Sequence, residues 1–222
     1  MSLFISLPAH LPMAPRPLQG ELLSSWLGRL AAANALRFEE LLDGLRVRLE
    51  SFPRAGSFYP SRLDYACSAP LIKALATLCR LPASRIAALD LRRRFRALGL
   101  WWFNHETNLF YDAKNRLIPQ PQILPGYCVH CLREQTQRGE PAHLRAEWTL
   151  AFLTHCPQHR DVLWSCCSDC RDVASLGWGL GREQPPTRGC GRCALRPRSL
   201  FGRRRSPCRR GKSGCWRWRR PC

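Results

Sequence analysis

Between Glu21 and Leu45 apolar residues return at every third or fourth position, the period of a helix with one buried face. Leu22, Leu23, Trp26, Leu27 and Leu30 form the first stripe, with Ser24 and Ser25 placed to cap locally. A short break over Asn34 to Arg37 leads into a second helix, Phe38 to Leu49, with Leu41, Leu42 and Leu45 inward. The lead, residues 1–20, is Pro-rich and predicts extended chain, while residues 51–62, with Pro53, Gly56 and Pro60, predict a loop. The theme then repeats. Leu71, Leu75 and Leu78 make a stripe, Leu81-Pro82 interrupts it, and Ser84 opens a helix carrying Ile86 and Leu89. A short helix, a tight break and a second helix outline a helix-turn-helix, and an ordinary helical hairpin fits the same pattern. Arg92, Arg93, Arg94 and Arg96 follow, as a solvated helix end or as phosphate contacts. Trp101, Trp102 and Phe103, with Phe110 and Tyr111, read as short strands or a packed aromatic junction, core in preference to a stacking platform. Pro119 to Pro125 reads as a linker.

Charge adds a partner class. The 222 residues carry 35 Lys and Arg against 16 Asp and Glu, a net +19. Nine of the positive charges lie in residues 201–222 without an acid, so the first 200 residues retain +10. Such an excess favours a polyanion, because each phosphate met by Lys or Arg releases condensed counterions. Met1 to Met13 lacks a cationic start and is broken by Pro8 and Pro12, so no secretory signal is expected. No apolar run approaches the roughly 20 residues that cross a bilayer, and no membrane partner is expected. A cytoplasmic chain keeps its thirteen cysteines reduced, which makes metal binding the better reading of them.

Four pairs of candidate ligands occur in order: Cys128-x2-Cys131, Cys156-x2-His159, Cys167-x2-Cys170 and Cys190-x2-Cys193. The two-residue gap suits a tight knuckle that brings two ligands to one tetrahedral metal, and a second knuckle closes the shell. Paired in order, they predict one site of Cys128, Cys131, Cys156 and His159, and one of Cys167, Cys170, Cys190 and Cys193. The second has 19 residues between its knuckles, within the zinc-ribbon range of roughly 15–20. The first has 24, room for a helix over Pro141 to Phe152 with Leu144, Trp148 and Phe152 spaced at four. Two Zn2+ ions are therefore expected, both structural, since a closed shell of four ligands leaves no position for a reacting water. Such binding contributes on the order of 10 kcal/mol to folding. Cys166 stands beside Cys167, His155 beside Cys156 and His130 inside the first knuckle, so each is an alternative ligand, and interleaved pairing stays open. Cys67 and Cys79 fall on helical faces as small core residues. A thioredoxin-like dithiol is disfavoured because no βαβ pattern surrounds any pair.

These residues resemble the TniQ family. The phrase Gly20-Glu-Leu-Leu-Ser-Ser-Trp26, after a Pro-rich lead from Leu11 and before a helix ending near Asn34, is similar to the family's opening. Tyr127-Cys-Val-His-Cys-Leu-Arg-Glu134 is similar to its first knuckle, and Trp148 with Thr154-His-Cys-Pro-Gln-His159 to the segment that follows. Val129 stands where members commonly have Pro, Arg171 where Gly is usual, and the resemblance stops near Arg196. It implies helix-turn-helix elements joined to zinc ribbons. It also implies a target-selection adaptor of a heteromeric transposon, linking DNA or a CRISPR guide-RNA complex to an AAA+ ATPase regulator.

The expected organisation is mainly α with small zinc-ribbon β elements. A helix-turn-helix-like region (1–118) precedes a zinc-binding region of two knuckle units (119–196) and a basic Arg/Trp/Cys-rich tail (197–222). The tail reads as out-of-frame or truncated coding sequence, or as a nucleic-acid-binding arm. No enzyme is expected: carboxylates patterned for transposase chemistry are absent, and Ser206-Pro-Cys-Arg-Arg-Gly-Lys-Ser213 imitates a phosphate loop without its first Gly or a preceding strand. The alternative function is a stand-alone zinc-containing DNA-binding transcriptional regulator, and the chain is a candidate homodimer.

Overall fold

The computed structural model describes residues 7–48, 61–65, 67–103, 105–111, 117–123 and 125–164. The tail and the ligand set at Cys167, Cys170, Cys190 and Cys193 lie outside the described residues, as does Cys166. The described chain is mainly helical, with one two-stranded sheet.

The first stripe forms α1, Leu23–Ala33, with Leu22, Leu23, Trp26, Leu27 and Leu30 fully buried. Its N-cap, Leu22, has no side chain able to cap. This buried end of the helix is closed by a distant residue instead. Asp64, from the one-turn helix α3 (Ser61–Asp64), accepts the Ser24 N–H at 2.7 Å and the Ser24 hydroxyl at 2.6 Å. Asn34 ends α1, its Nδ2 donating to Leu30 O and Met13 O, and its Oδ1 accepting the Met13 N–H. The Pro-rich lead is thereby fastened along the helix. Trp26 Nε1 adds a bond to Pro15 O at 2.8 Å.

After the break, α2 runs over Phe38–Arg48 with Phe38, Leu41, Leu42 and Leu45 inward, and Glu40 reaches back to accept the Arg37 N–H. Helix α4, Ala69–Cys79, is capped by Ser68, and Arg80 ends it in the left-handed region at φ +50°. The element beyond Pro82 is shorter than its pattern suggests. It divides into α5 (Ala83–Ala87) and α6 (Leu91–Arg94) because Asp90 caps a new helix, accepting the Arg93 N–H. Leu89 is buried in the turn between them.

Three expectations are corrected here. Pro119 to Pro125 is not simply a linker: Leu117–Ile123 is a strand, β2, antiparallel to β1 (His105–Tyr111), with Pro119 opposite Leu109 and Pro121 opposite Thr107. In a two-stranded sheet each strand has a free edge, and prolines two apart share the side that needs no N–H. Trp101 and Trp102 are not core, being 74% and 42% exposed, whereas Phe103 is buried against Tyr65 and Phe95. The helix expected over Pro141 to Phe152 is only a 3₁₀ turn, Ala146–Thr149. Its preceding backbone is taken by the start of α1: Leu22 N donates to Leu144 O at 2.9 Å and Ala146 N to Gly20 O at 2.7 Å. Gly20, at φ +79°, makes the turn that allows this pairing. Leu144 and Trp148 are buried as their spacing suggests, while Phe152 is exposed.

One cluster of buried residues consequently extends from Leu7 to Cys156, taking in the helices and the cysteines alike. Glu21 lies in it at 0% exposure. Its carboxylate accepts Arg29 Nε at 2.8 Å and Nη2 at 2.6 Å, the Leu18 N–H and the Ser25 hydroxyl.

Candidate metal centre

Cys128 is the N-cap of α7, Val129–Gln137, so a turn of backbone followed by one helical turn carries Cys128 and Cys131 to the same place. The second knuckle is a tight hairpin. Arg160 turns the chain at φ +55°, its N–H donates to Cys156 O, and Cys156 N–H donates to Asp161 O, both at 2.7 Å. The two knuckles are fastened by the Tyr127–Trp164 bridge, with reciprocal N–H to O bonds of 2.8 and 2.9 Å. Gly126 is needed beside that bridge, because a Cβ there would lie 3.0 Å from Leu163 Cβ and 3.3 Å from Trp148 O.

Cys128, Cys131, Cys156 and His159 converge, with one ligand atom from each lying within 4.8 Å of all the others. His159 Nδ1 stands 3.5, 3.3 and 3.6 Å from the sulfurs of Cys128, Cys131 and Cys156, and the sulfurs of Cys131 and Cys156 are 3.5 Å apart. A tetrahedral ion at about 2.3 Å from sulfur and about 2.0 Å from nitrogen separates its ligands by roughly 3.5–3.8 Å. These four separations match a metal of zinc's size and preference. All three cysteines are buried and no water-filled opening is needed to complete the shell.

The alternative ligands point elsewhere. His130 Nε2 faces Asp161 at 3.4 Å, on the surface, and the His155 ring meets the Thr154 hydroxyl at 2.9 Å. A residue that sequence spacing did not single out for the site is Glu134, one helical turn beyond Cys131. Its Oε1 accepts the His159 Nε2–H at 2.7 Å and its Oε2 accepts from Gln158 Nε2 at 3.0 Å. This contact turns Nδ1 toward the sulfurs, the arrangement by which carboxylates orient metal-ligating histidines. The i, i+3 step from Cys131 on a helix was the available signal.

In the metal-free chain these groups titrate apart. Burial, together with the neighbouring Cys156 thiol, pushes the Cys131 thiol well above its usual range, and burial also raises Cys128. For Cys156 burial is again the largest influence and opposes ionisation. Hydrogen bonds from the His159 backbone and ring, with Cys131 and the Gln158 N–H, outweigh it and bring the thiol down to about 7. The hydrogen bond that His159 donates to Glu134 raises His159 and lowers Glu134. Metal capture at neutral pH therefore displaces protons, those of the raised Cys128 and Cys131 thiols among them.

Arg92, Arg93 and Arg96 are exposed at α6 and just beyond it. Arg94 is set apart from them. It is partly buried, its Nη1 donates to Glu21 O at 3.4 Å, and burial lowers its pKa. The buried thiols of Cys67 and Cys79 are free, both raised by burial to about 12.

Among known families, residues 12–163 match TniQ. The chain belongs to the TniQ family. The matched span covers the lead from Pro12, the Gly20–Trp26 phrase and all four residues of the cluster, so the TniQ match and the convergent ligands fall on the same stretch of chain. TniQ is a non-catalytic transposition accessory family, and this is a transposition-associated protein. No curated protein matches the chain in sequence. Among the described residues, no helix is long and apolar enough to cross a membrane.

Proposed function

We propose that this TniQ chain is an adaptor in transposition, joining a target-recognition element, DNA or a guide-RNA complex, to an AAA+ ATPase regulator. The observation that carries the reading is the family match over residues 12–163. The fold offers a physical basis for such a role: the helices and the metal-binding knuckles share one core. In this reading zinc is held by Cys128, Cys131, Cys156 and His159, with a second ion at Cys167, Cys170, Cys190 and Cys193. A bound zinc supplies a crosslink between the knuckles. The protein's own groups do the rest: Glu134 fixes the His159 ring, and the Tyr127–Trp164 bridge holds the knuckles in register.

The test is co-purification of the chain with an AAA+ ATPase of the same transposon, followed by mapping of insertion sites with and without the chain. Joint elution, and insertions that lose their target preference when the chain is omitted, support the adaptor. DNA binding by the chain alone, with no ATPase association and unchanged insertion sites, would instead support the stand-alone regulator. Native mass spectrometry before and after chelation counts the ions. Two zincs support both ligand sets, and a single zinc removes the second.

A further inference from the structure

Two shallow clefts on the described surface meet at Arg93. One, about 310 Å³, lies among Asp90, Arg92, Arg93 and Arg96. The other, about 430 Å³, runs between α4 and α5 with Lys73 and Ser84 on its lining. Together they form a groove across α4, α5 and α6 that carries four cations and one acid.

The acid is already engaged. Asp90 is 1% exposed, its Oδ2 accepting the Cys67 N–H at 2.6 Å and its Oδ1 the Arg93 N–H at 3.1 Å. Cys67, beneath it, is held neutral by burial and contributes no charge at pH 7. The cations differ. Arg29, Arg37, Arg138 and Arg145 each pair with a carboxylate. Among the described residues no ion pair takes up Lys73, Arg92, Arg93 or Arg96. Like charges gathered in a groove without counter-charge focus a positive potential where an anion's approach is favoured. Beside Lys73 the lining is Ala69, Ile72, Ala83 and Ala87, mostly short side chains, and no aromatic ring lines either cleft for base stacking.

We propose that this groove binds the sugar-phosphate backbone of a nucleic acid, with Lys73, Arg92, Arg93 and Arg96 each meeting a phosphate and Ser84 donating a neutral hydrogen bond. Contact of this kind positions a duplex without reading its sequence. The proposal rests on the adaptor reading for its biological setting only. It also separates Arg94, which serves the fold, from its three neighbours.

The experiment compares the full-length chain with a variant carrying Lys73→Gln, Arg92→Gln, Arg93→Gln and Arg96→Gln. Fluorescence anisotropy is read with a labelled duplex DNA and the same sequence as duplex RNA, across a salt series. The basic tail is identical in both proteins, so the difference isolates the groove. For DNA, each lost contact flattens the slope of log affinity against log salt by about 0.9, up to about 3.6 for four, and affinity near 0.1 M salt falls on the order of a thousandfold. A change confined to one duplex type identifies the nucleic acid bound. Each single substitution gives about a quarter of the effect, and Arg93→Lys retains the slope, so the test survives if the fourfold variant fails to fold. Slopes unchanged on both duplexes, in protein with wild-type circular dichroism and zinc content, overturn the groove. ATPase co-purification by the same variant is read separately: its persistence leaves the adaptor standing whatever the groove does.

Discussion

Glu21 is the one acid of the Gly20–Trp26 phrase, and the structure makes it the charge on which the junction between α1 and the metal region depends. Arg29→Leu removes two charge-assisted bonds, at 2.6 and 2.8 Å, from a carboxylate with 0% exposure. What remains is the Leu18 N–H at 3.0 Å and the Ser25 hydroxyl at 3.2 Å, neutral donors that do not balance a buried charge. Removal of one partner from a buried pair costs about 3–5 kcal/mol, whereas replacing both by apolar groups often costs far less. The double variant Glu21→Met with Arg29→Leu is therefore expected to be more stable than Arg29→Leu alone, leaving a coupling of about 2–3 kcal/mol in the mutant cycle. The assay is urea unfolding at saturating zinc, followed by tryptophan fluorescence. A slope of about 2–3 kcal/mol/M converts the single-variant loss to a midpoint shift of about 1–2 M. The shift should change little with added salt, since buried pairs are weakly screened. A loss below about 1 kcal/mol for Arg29→Leu, or singles that sum to the double, would refute the reasoning.

Three further outcomes are expected. Glu134→Gln keeps the shape of the contact to His159 but not its charge, and should weaken metal affinity about 10–100-fold in competition with a chromogenic chelator; unchanged affinity would remove Glu134 from the site. Gly126→Ala forces a methyl against Leu163 and Trp148 O and should cost about 1–3 kcal/mol, read as a lower thermal midpoint in the zinc-loaded protein. Burial, aided by the nearby Asp90 and opposed by the Ser24 bonds, raises Asp64 to about 7 from an ordinary 3.8. Between those pH values the folded chain holds a proton that the unfolded chain has released, so this group's contribution is complete below about 4 and is lost as pH rises through 7. The slope inside that window is about 1.4 kcal/mol per pH unit. Asp64→Asn should flatten it in denaturant titrations from pH 4 to pH 8, and an identical profile would show that Asp64 is not the titrating group.

The sequence by itself determined the helices and the kind of chemistry. Stripes at three and four residues place α1 and α2 within a residue or two and mark the buried face of α4, because a helix's buried face is set by local period. Two-residue gaps marked Cys128, Cys131, Cys156 and His159 as a set because knuckle geometry is also local. What depended on distant partners was decided only by the tertiary structure. Leu144, Trp148 and Phe152 have helical spacing, yet Leu144 O and the Ala146 N–H are taken by Leu22 and Gly20, more than a hundred residues away, so the segment forms only a 3₁₀ turn. Pro119 and Pro121 read as linker, but a strand with a free edge accommodates proline, and among the described residues β2 pairs with β1 alone. Glu134 joins the site only because folding places it against a ring that is 25 residues further along the chain. Four consecutive-looking arginines divided in the same way, Arg94 turning inward to Glu21 O while the others stay at the groove. Hydrophobic period and ligand spacing are written within a few residues, whereas a hydrogen-bond partner or an exposed edge belongs to the packed whole.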